Sequence, residues 1–267
     1  MTYAHNSETS VDFVIPAHNE AETVGAVVEE CRETLGRIAV AGEVFVVADH
    51  CRDNTVEAAS MAGATVIELT GGVGSKADAV RAGVESATRE YIYLVDADCL
   101  GLTSDHLSRI AAPVLKGETQ MSVGVFDYRI VDRLVHRYPW SSGERIIHRD
   151  SFDWSDRRLS GYNLEVLINE SIGRQGGRTA SFIMDGVHQR SKVQKLGRLA
   201  GIRGDVEMWR NICNSLDEID LESYRRYMRN VRMYSAQGEP HEPSPLLADA
   251  GFSVLRLARK ALTASFT

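Results

Sequence analysis

The 267-residue chain lacks several things that would assign it elsewhere. It has no block of lysine and arginine interleaved with aromatic residues, aromatics are 7% of the whole, and the net charge is −7. Nothing in its composition therefore supports a nucleic-acid footprint, and any anionic ligand must be held by local groups. No apolar run approaches the ~20 residues that cross a bilayer. The opening MTYAHNSETS has neither the basic nor the apolar region of a secretory signal. The four cysteines, Cys31, Cys51, Cys99 and Cys213, are scattered without a C-x-x-C pair. Pairing among them stays open, but the expected setting is reduced and cytoplasmic, with the protein soluble or at most peripheral to a membrane. Internal repeats are also missing.

What is present is 43% hydrophobic content, enough for the core of one large domain or of one domain with an extension. Residues 11–15 (VDFVI) read as a buried strand stopped by Pro16, which has no N–H for a central ladder. Asn19 is placed to cap a helix whose apolar positions Val24, Val27, Val28, Cys31 and Leu35 recur at spacings of three and four before Gly36. Strands follow at 44–48, 66–69 and 91–95, with helices at 56–62 and around Ala77, Val80, Val84 and Ala87 between them. A further helix is marked by Leu107, Ile110, Ala111, Val114 and Leu115, and a strand by residues 120–126.

From 127 to 158 the periodicity fails, as in a binding lobe or surface loop. A helix at 161–172 and a strand at 180–187 come next, closed by His188. Charged helical sequence then runs to GEPHEPSP at 238–245, which reads as a linker, and residues 246–266 look like a detached amphipathic helix with Arg256, Arg259 and Lys260. Strands alternating with short helices predict an α/β fold: a Rossmann-like, mostly parallel sheet with helices on both faces, plus a helical C-terminal extension.

In such sheets ligands bind beyond the carboxyl ends of the strands. AHNE, ADHCRDNT, TGGVGSK and DADC all fall there. Asp96 and Asp98, two residues apart at the end of YIYLVDADCL, point the same way and suit a hard cation, although an acidic pair after a strand also serves as a turn or a cap. The glycines before Lys76 allow close backbone approach, and the lysine offers a point charge to an anion at a helix start.

In this order and at these strand ends, IPAHNE, ADHCRDNT, GSKADAVRAG and DAD resemble, over roughly residues 11–130, the nucleotide-diphospho-sugar transferases of type A fold and their glycosyltransferase family two. The resemblance places Pro16, Ala17 and Glu20 at the nucleotide's base and ribose, Asp49 facing the base, and Asp53 at a polar position that closes the same loop. It puts Lys76 at the diphosphate, with Gly83 closing that segment. Asp98 becomes a direct ligand of Mg²⁺ or Mn²⁺, and Asp96 a ribose, water or metal partner. The family's usual D-D-G-S is A-D-H-C here, so His50 and Cys51 depart from it and the base stays open.

LSGYNLE and DGVHQR are similar, more narrowly, to segments of glucosyl phosphoglycerate synthases and related mannosyl enzymes. That likeness implies His188 as a third metal ligand and Glu165 near the anomeric centre, and leaves retention or inversion open. The resemblance implies a metal-dependent transfer of a hexose from a UDP- or GDP-linked donor to a hydroxyl acceptor, phosphorylated or lipid-linked. Arginines between 129 and 158, with Arg174 and Arg178, would suit an acidic acceptor. Residues 1–130 form the nucleotide-sugar half, 131–205 the acceptor half of the same domain, and 206–267 the extension. The terminal helix fits an anionic membrane surface, a homodimer contact or simple packing on the domain. Two other classes compete: a sugar-phosphate nucleotidyltransferase, which needs a basic glycine-rich loop where AHNE stands, and a non-catalytic sugar-nucleotide-binding subunit.

Overall fold

The computed structural model describes residues 9–72, 74–126, 142–161, 163–189, 218–234 and 240–241. In chain order the elements are β1 Val11–Ala17, α1 Val24–Ile38, β2 Val44–Asp49, α2 Thr55–Met61, β3 Thr65–Leu69, α3 Lys76–Ser86, β4 Tyr91–Leu94 and β5 Cys99–Leu100. They continue with α4 Ser104–Leu115, β6 Met121–Phe126, β7 Arg145–His148, α5 Leu164–Arg174, β8 Thr179–Met184, β9 His188–Gln189, α6 Leu221–Arg229, β10 Val231–Tyr234 and β11 Pro240–His241. Nine strands form one sheet in the order β11-β10-β8-β6-β7-β4-β1-β2-β3, and β5 pairs with β9 beside it. Only β7 and β11 run against the rest of the large sheet.

The strands are apolar on both sides because both sides are covered. On β1, Val11, Phe13, Ile15 and Ala17 join one core with α1, α2 and α4, while Val14 faces the other core with α3, α5 and α6. The same alternation splits Tyr93 from Ile92 and Leu94 on β4, and Ile146 from Ile147 on β7. Asp12, buried among these, accepts hydrogen bonds from the amides of Glu43, Thr88 and Arg89 at 2.8, 2.8 and 3.1 Å. One carboxylate thereby ties the entries of β2 and β4 to β1. No helix among the described residues is long and apolar enough to cross a membrane.

The alternating strands and helices and the two-sided cover agree with the sequence reading; several details do not. Pro16 lies inside β1, opposite Val47, rather than ending it. The Val11 and Phe13 amides point to the β2 side, so position 16 turns its nitrogen toward β4, where pairing ends at Val14 and Leu94, and no bond is lost. Asn19 does not cap α1; it holds a positive φ of 56°, and Thr23 precedes the helix, which runs past Gly36 to Ile38. Within the stretch read as irregular, Arg145–His148 forms β7, wedged antiparallel between β6 and β4. The C-terminal stretch is not helix and linker throughout: β10 lengthens the main sheet alongside β8, and β11, at the proposed linker, pairs with β10. Residues 127–141 and the terminal helix at 246–266 lie outside the described residues, as does Cys213.

Candidate active site

The loops at the carboxyl ends of β1, β2, β3 and β4 touch one another in sequence order. From the first to the second, Asn19 Oδ1 accepts the Arg52 amide at 2.7 Å, Cys51 Sγ lies 3.4 Å from the Ala17 carbonyl, and the Glu20 amide donates to Thr55 Oγ1 at 2.8 Å. Asp53 closes the same junction by accepting from the Ala21 and Thr55 amides at 3.2 and 3.1 Å. Its slight burial works against ionisation, but these bonds and the Thr55 hydroxyl hold its carboxyl below the usual range. Asn19 and His50 both keep positive φ, rare outside glycine, and each is pinned by its neighbours. Ala17, Glu20 and Asp49 are buried, and Pro16 is half-buried.

From the second loop to the third, Gly74 lies against Asp49 and His50: a Cβ there would stand 3.0 Å from both Asp49 carboxylate oxygens and 2.9 Å from His50 Nδ1. His50 Nδ1 is itself 2.6 Å from Asp49 Oδ1. The histidine that departs from the family pattern thus fixes the neighbouring aspartate.

From the third loop to the fourth runs an ion pair. Ser75 caps α3, its hydroxyl accepting the Asp78 amide at 3.1 Å, so the side chain of Lys76 leaves the first helical residue toward the crevice. Lys76 Nζ sits 2.7 Å from Asp96 Oδ1 and 2.8 Å from Glu165 Oε1. Burial alone would lower the lysine pKa; the charges of Asp96 and Glu165 outweigh it and hold the ammonium well above the ordinary value. Glu165 comes from the first turn of α5, on the far side of the crevice, and its side chain is 6% exposed.

Four groups that sequence reasoning did not single out complete this centre. Gln189, on β9 opposite Cys99, donates from Nε2 to Asp96 Oδ2 at 2.9 Å. Gly143 lies directly under Asp96, where a Cβ would meet the carboxylate at 2.4 to 2.6 Å. Glu144, with no exposed surface, reaches Cys99 Sγ at 3.2 Å and Ser142 Oγ at 3.0 Å. Arg145, also fully buried, donates to the Ser142 carbonyl at 3.1 Å, to Asn169 Oδ1 at 3.1 Å and to the Glu165 carbonyl at 3.4 Å. It thereby fixes the turn beneath Asp96 and the helix start that carries Glu165. For Gly143, Glu144 and Arg145 the sequence signal was SSGER, a glycine among polar residues in an aperiodic stretch, and Gln189 follows His188 in DGVHQR.

Asp98 is half-buried in the loop after β4. His188 is exposed, opposite Leu100 on β9, with Nδ1 3.3 Å from the Gly186 carbonyl. Asp96 and Asp98 lie in the loop between β4 and β5, and His188 lies on β9, which pairs with β5; among the described residues no group of three or more His, Cys, Asp or Glu side chains is placed to hold a metal ion. Among the described arginines expected to meet an acidic acceptor, Arg145, Arg149, Arg158 and Arg174 bond within the protein. Arg149 binds the Val84 carbonyl at 2.8 Å, Arg158 pairs with Asp156 and Glu170 at 2.7 and 2.9 Å, and Arg174 pairs with Glu170 at 2.6 Å.

A mostly parallel sheet with a lysine and carboxylates gathered at its strand ends is an α/β architecture whose ligand site lies beyond those ends. The model of Glycosyl transferase family 2 matches residues 12–171, and the chain belongs to that family. No curated protein matches it by sequence. Among solved structures it is similar to glucosyl-3-phosphoglycerate synthase from Mycobacterium tuberculosis. The form with Mn²⁺, UDP-glucose and phosphoglyceric acid has a TM-score of 0.61 at 18% identity, over 78% of this chain and 79% of that one. The form with Mg²⁺ and UDP has a TM-score of 0.62 at 18% identity, over 79% of each chain. The form with Mn²⁺, UDP and glucosyl-3-phosphoglycerate has a TM-score of 0.61 at 17% identity, over 79% of this chain and 80% of that one.

Proposed function

We propose that this glycosyltransferase moves a hexose from a UDP- or GDP-linked donor onto a hydroxyl of a small phosphorylated acceptor, with Mg²⁺ or Mn²⁺ as cofactor. The observation that carries this reading is the meeting of Lys76, Asp96 and Glu165, which joins the loops after β3 and β4 to the helix on the acceptor side. The solved neighbours bind a UDP-sugar, a divalent cation and a phosphorylated acid, which supports the same chemistry here.

The donor set fits a hard cation. Mg²⁺ takes one or two protein carboxylates and completes its shell with water and phosphate oxygens, so three grouped protein ligands are not required. Asp98 would hold it, with Asp96 in the same loop and His188 on the adjoining strand. When bound, the cation neutralises the charge that grows on the departing nucleoside diphosphate. The protein's own groups do the rest. Pro16, Ala17, Glu20 and Asp49 line the nucleotide end, and Asp49 is held in one orientation by His50. Lys76 brings positive charge to the diphosphate. Glu165 is fixed through its helix by Arg145 and presents a carboxylate to the acceptor hydroxyl near the anomeric carbon.

Transfer and hydrolysis assayed over a panel of UDP- and GDP-sugars with Mn²⁺ or Mg²⁺, and with phosphoglycerate among the acceptors, test this reading. Activity is expected with one nucleotide class and to fall by 100-fold or more in Asp98→Ala, an order-of-magnitude expectation for a lost metal carboxylate. Undiminished activity in that variant would remove the metal role.

A further inference from the structure

Lys76 serves two carboxylates at once. Its ammonium lies 2.7 Å from Asp96 and 2.8 Å from Glu165, and its side chain is 21% exposed, against 15% for Asp96 and 6% for Glu165. The other Asp96 oxygen is taken by Gln189, and Gly143 closes the space beneath it. Two such carboxylates facing one another repel unless a cation stands between them, and a lysine ammonium is a compact point charge suited to that place. Its partners belong to separate elements: Asp96 follows β4, and Glu165 lies in the first turn of α5.

We propose that Lys76 is a built-in counter-cation that holds Asp96 and Glu165 together when no donor is bound, and that it competes with a divalent metal ion for the acidic loop until a diphosphate arrives. The inference rests on the metal-dependent reading above. An ammonium bound to Asp96 opposes a second cation entering beside Asp98. A nucleoside diphosphate reverses the balance, since it gives the ammonium another anion and gives the metal phosphate oxygens. Lys76 thus weakens metal binding in the empty site and strengthens it in the nucleotide-loaded one.

Two measurements test this, neither of which needs turnover. The first is a double-mutant cycle of thermal unfolding in EDTA with Lys76→Met, Glu165→Gln and the pair. Non-additive losses are expected, with the double variant no worse than Lys76→Met alone; additive losses overturn the counter-cation role whatever the metal does. The second is Mn²⁺ affinity by electron paramagnetic resonance, without and with uridine diphosphate. Lys76→Gln is expected to bind Mn²⁺ about 10-fold more tightly than wild type without nucleotide and about 10-fold more weakly with it, an order-of-magnitude expectation for one nearby charge. Lys76→Arg, which keeps the charge, should stay close to wild type in both. Equal Mn²⁺ affinity of Lys76→Gln and wild type without nucleotide overturns the competition. A wild-type chain that binds no Mn²⁺ even with the nucleotide overturns both the competition and the metal-dependent reading, while the EDTA cycle still decides the counter-cation.

Discussion

Glu144 titrates in a place where few carboxylates do. Burial first, and the nearby charge of Asp96 second, push its pKa up to about 7, even though Lys76 and Cys99 pull the other way. The Ser142 hydroxyl reaches both Glu144 Oε2 and the Gly124 carbonyl, and one hydroxyl proton cannot serve two acceptors. A proton on Glu144 completes the set. The folded state therefore keeps a proton that the unfolded chain releases near its ordinary 4.5. With the folded value raised, the stabilisation is full below that ordinary value and is lost as pH rises toward about 7, a total on the order of 3 kcal/mol. Glu144→Gln keeps the shape and a donor but cannot titrate. Denaturant midpoints should fall for wild type from about pH 5 to about pH 7 and stay flatter for the variant. An unchanged slope in Glu144→Gln would assign the dependence to another group.

At this scale legibility divides by cause. Lys76, Asp96 and Glu165 were readable because each sits at a motif or helix start. Glu144 and Gln189 were not, because their roles depend on which strand lies beside the acidic loop.

The element that carries Lys76 is α3, and its height above the sheet is decided by Gly83. A Cβ there would stand 2.4 Å from Val14 Cγ1 and 3.0 Å from Val47 Cγ2, side chains of two central strands. Read as the closing glycine of a resemblance, it now has a packing reason: only a bare Cα lets the helix lie close enough on β1 and β2 to aim Lys76 at Asp96. Alanine is the better helix former by about 1 kcal/mol, so propensity alone favours Gly83→Ala. Overpacking of a tight contact costs about 1–3 kcal/mol and acts against it. The clash should win, with a net loss of up to about 2 kcal/mol by equilibrium denaturation. Stabilisation by the alanine would show that α3 shifts freely.

Long amphipathic helices and central strands were legible because their periodicity is set by what they bury. β7 and β10 were not. Each is four residues long, RIIH and VRMY, and becomes a strand through the neighbours waiting on either side.

Across the described residues the elements that carry Lys76 and Glu165 share one sheet and one of its two cores. α3, which carries Lys76, and α5, which carries Glu165, bury their apolar faces in the same cluster with β4, β6 and β7. The ion pairs through Lys76 cross between them on the solvent side of that cluster. A ligand held at the strand ends of β1 to β4 is therefore expected to stabilise the described elements as a single cooperative unit. At 100 times its dissociation constant such a ligand adds about 2.7 kcal/mol. For a chain of this size that is roughly 5 to 10 °C in melting temperature. Calorimetry with uridine diphosphate and Mn²⁺ should show one transition that moves upward whole. A split into two transitions, only one of them moved, would mean that the acceptor side folds independently of the nucleotide side. In that case the contacts at Lys76 join two separately stable bodies, and cutting them should change ligand affinity without changing the melting of either.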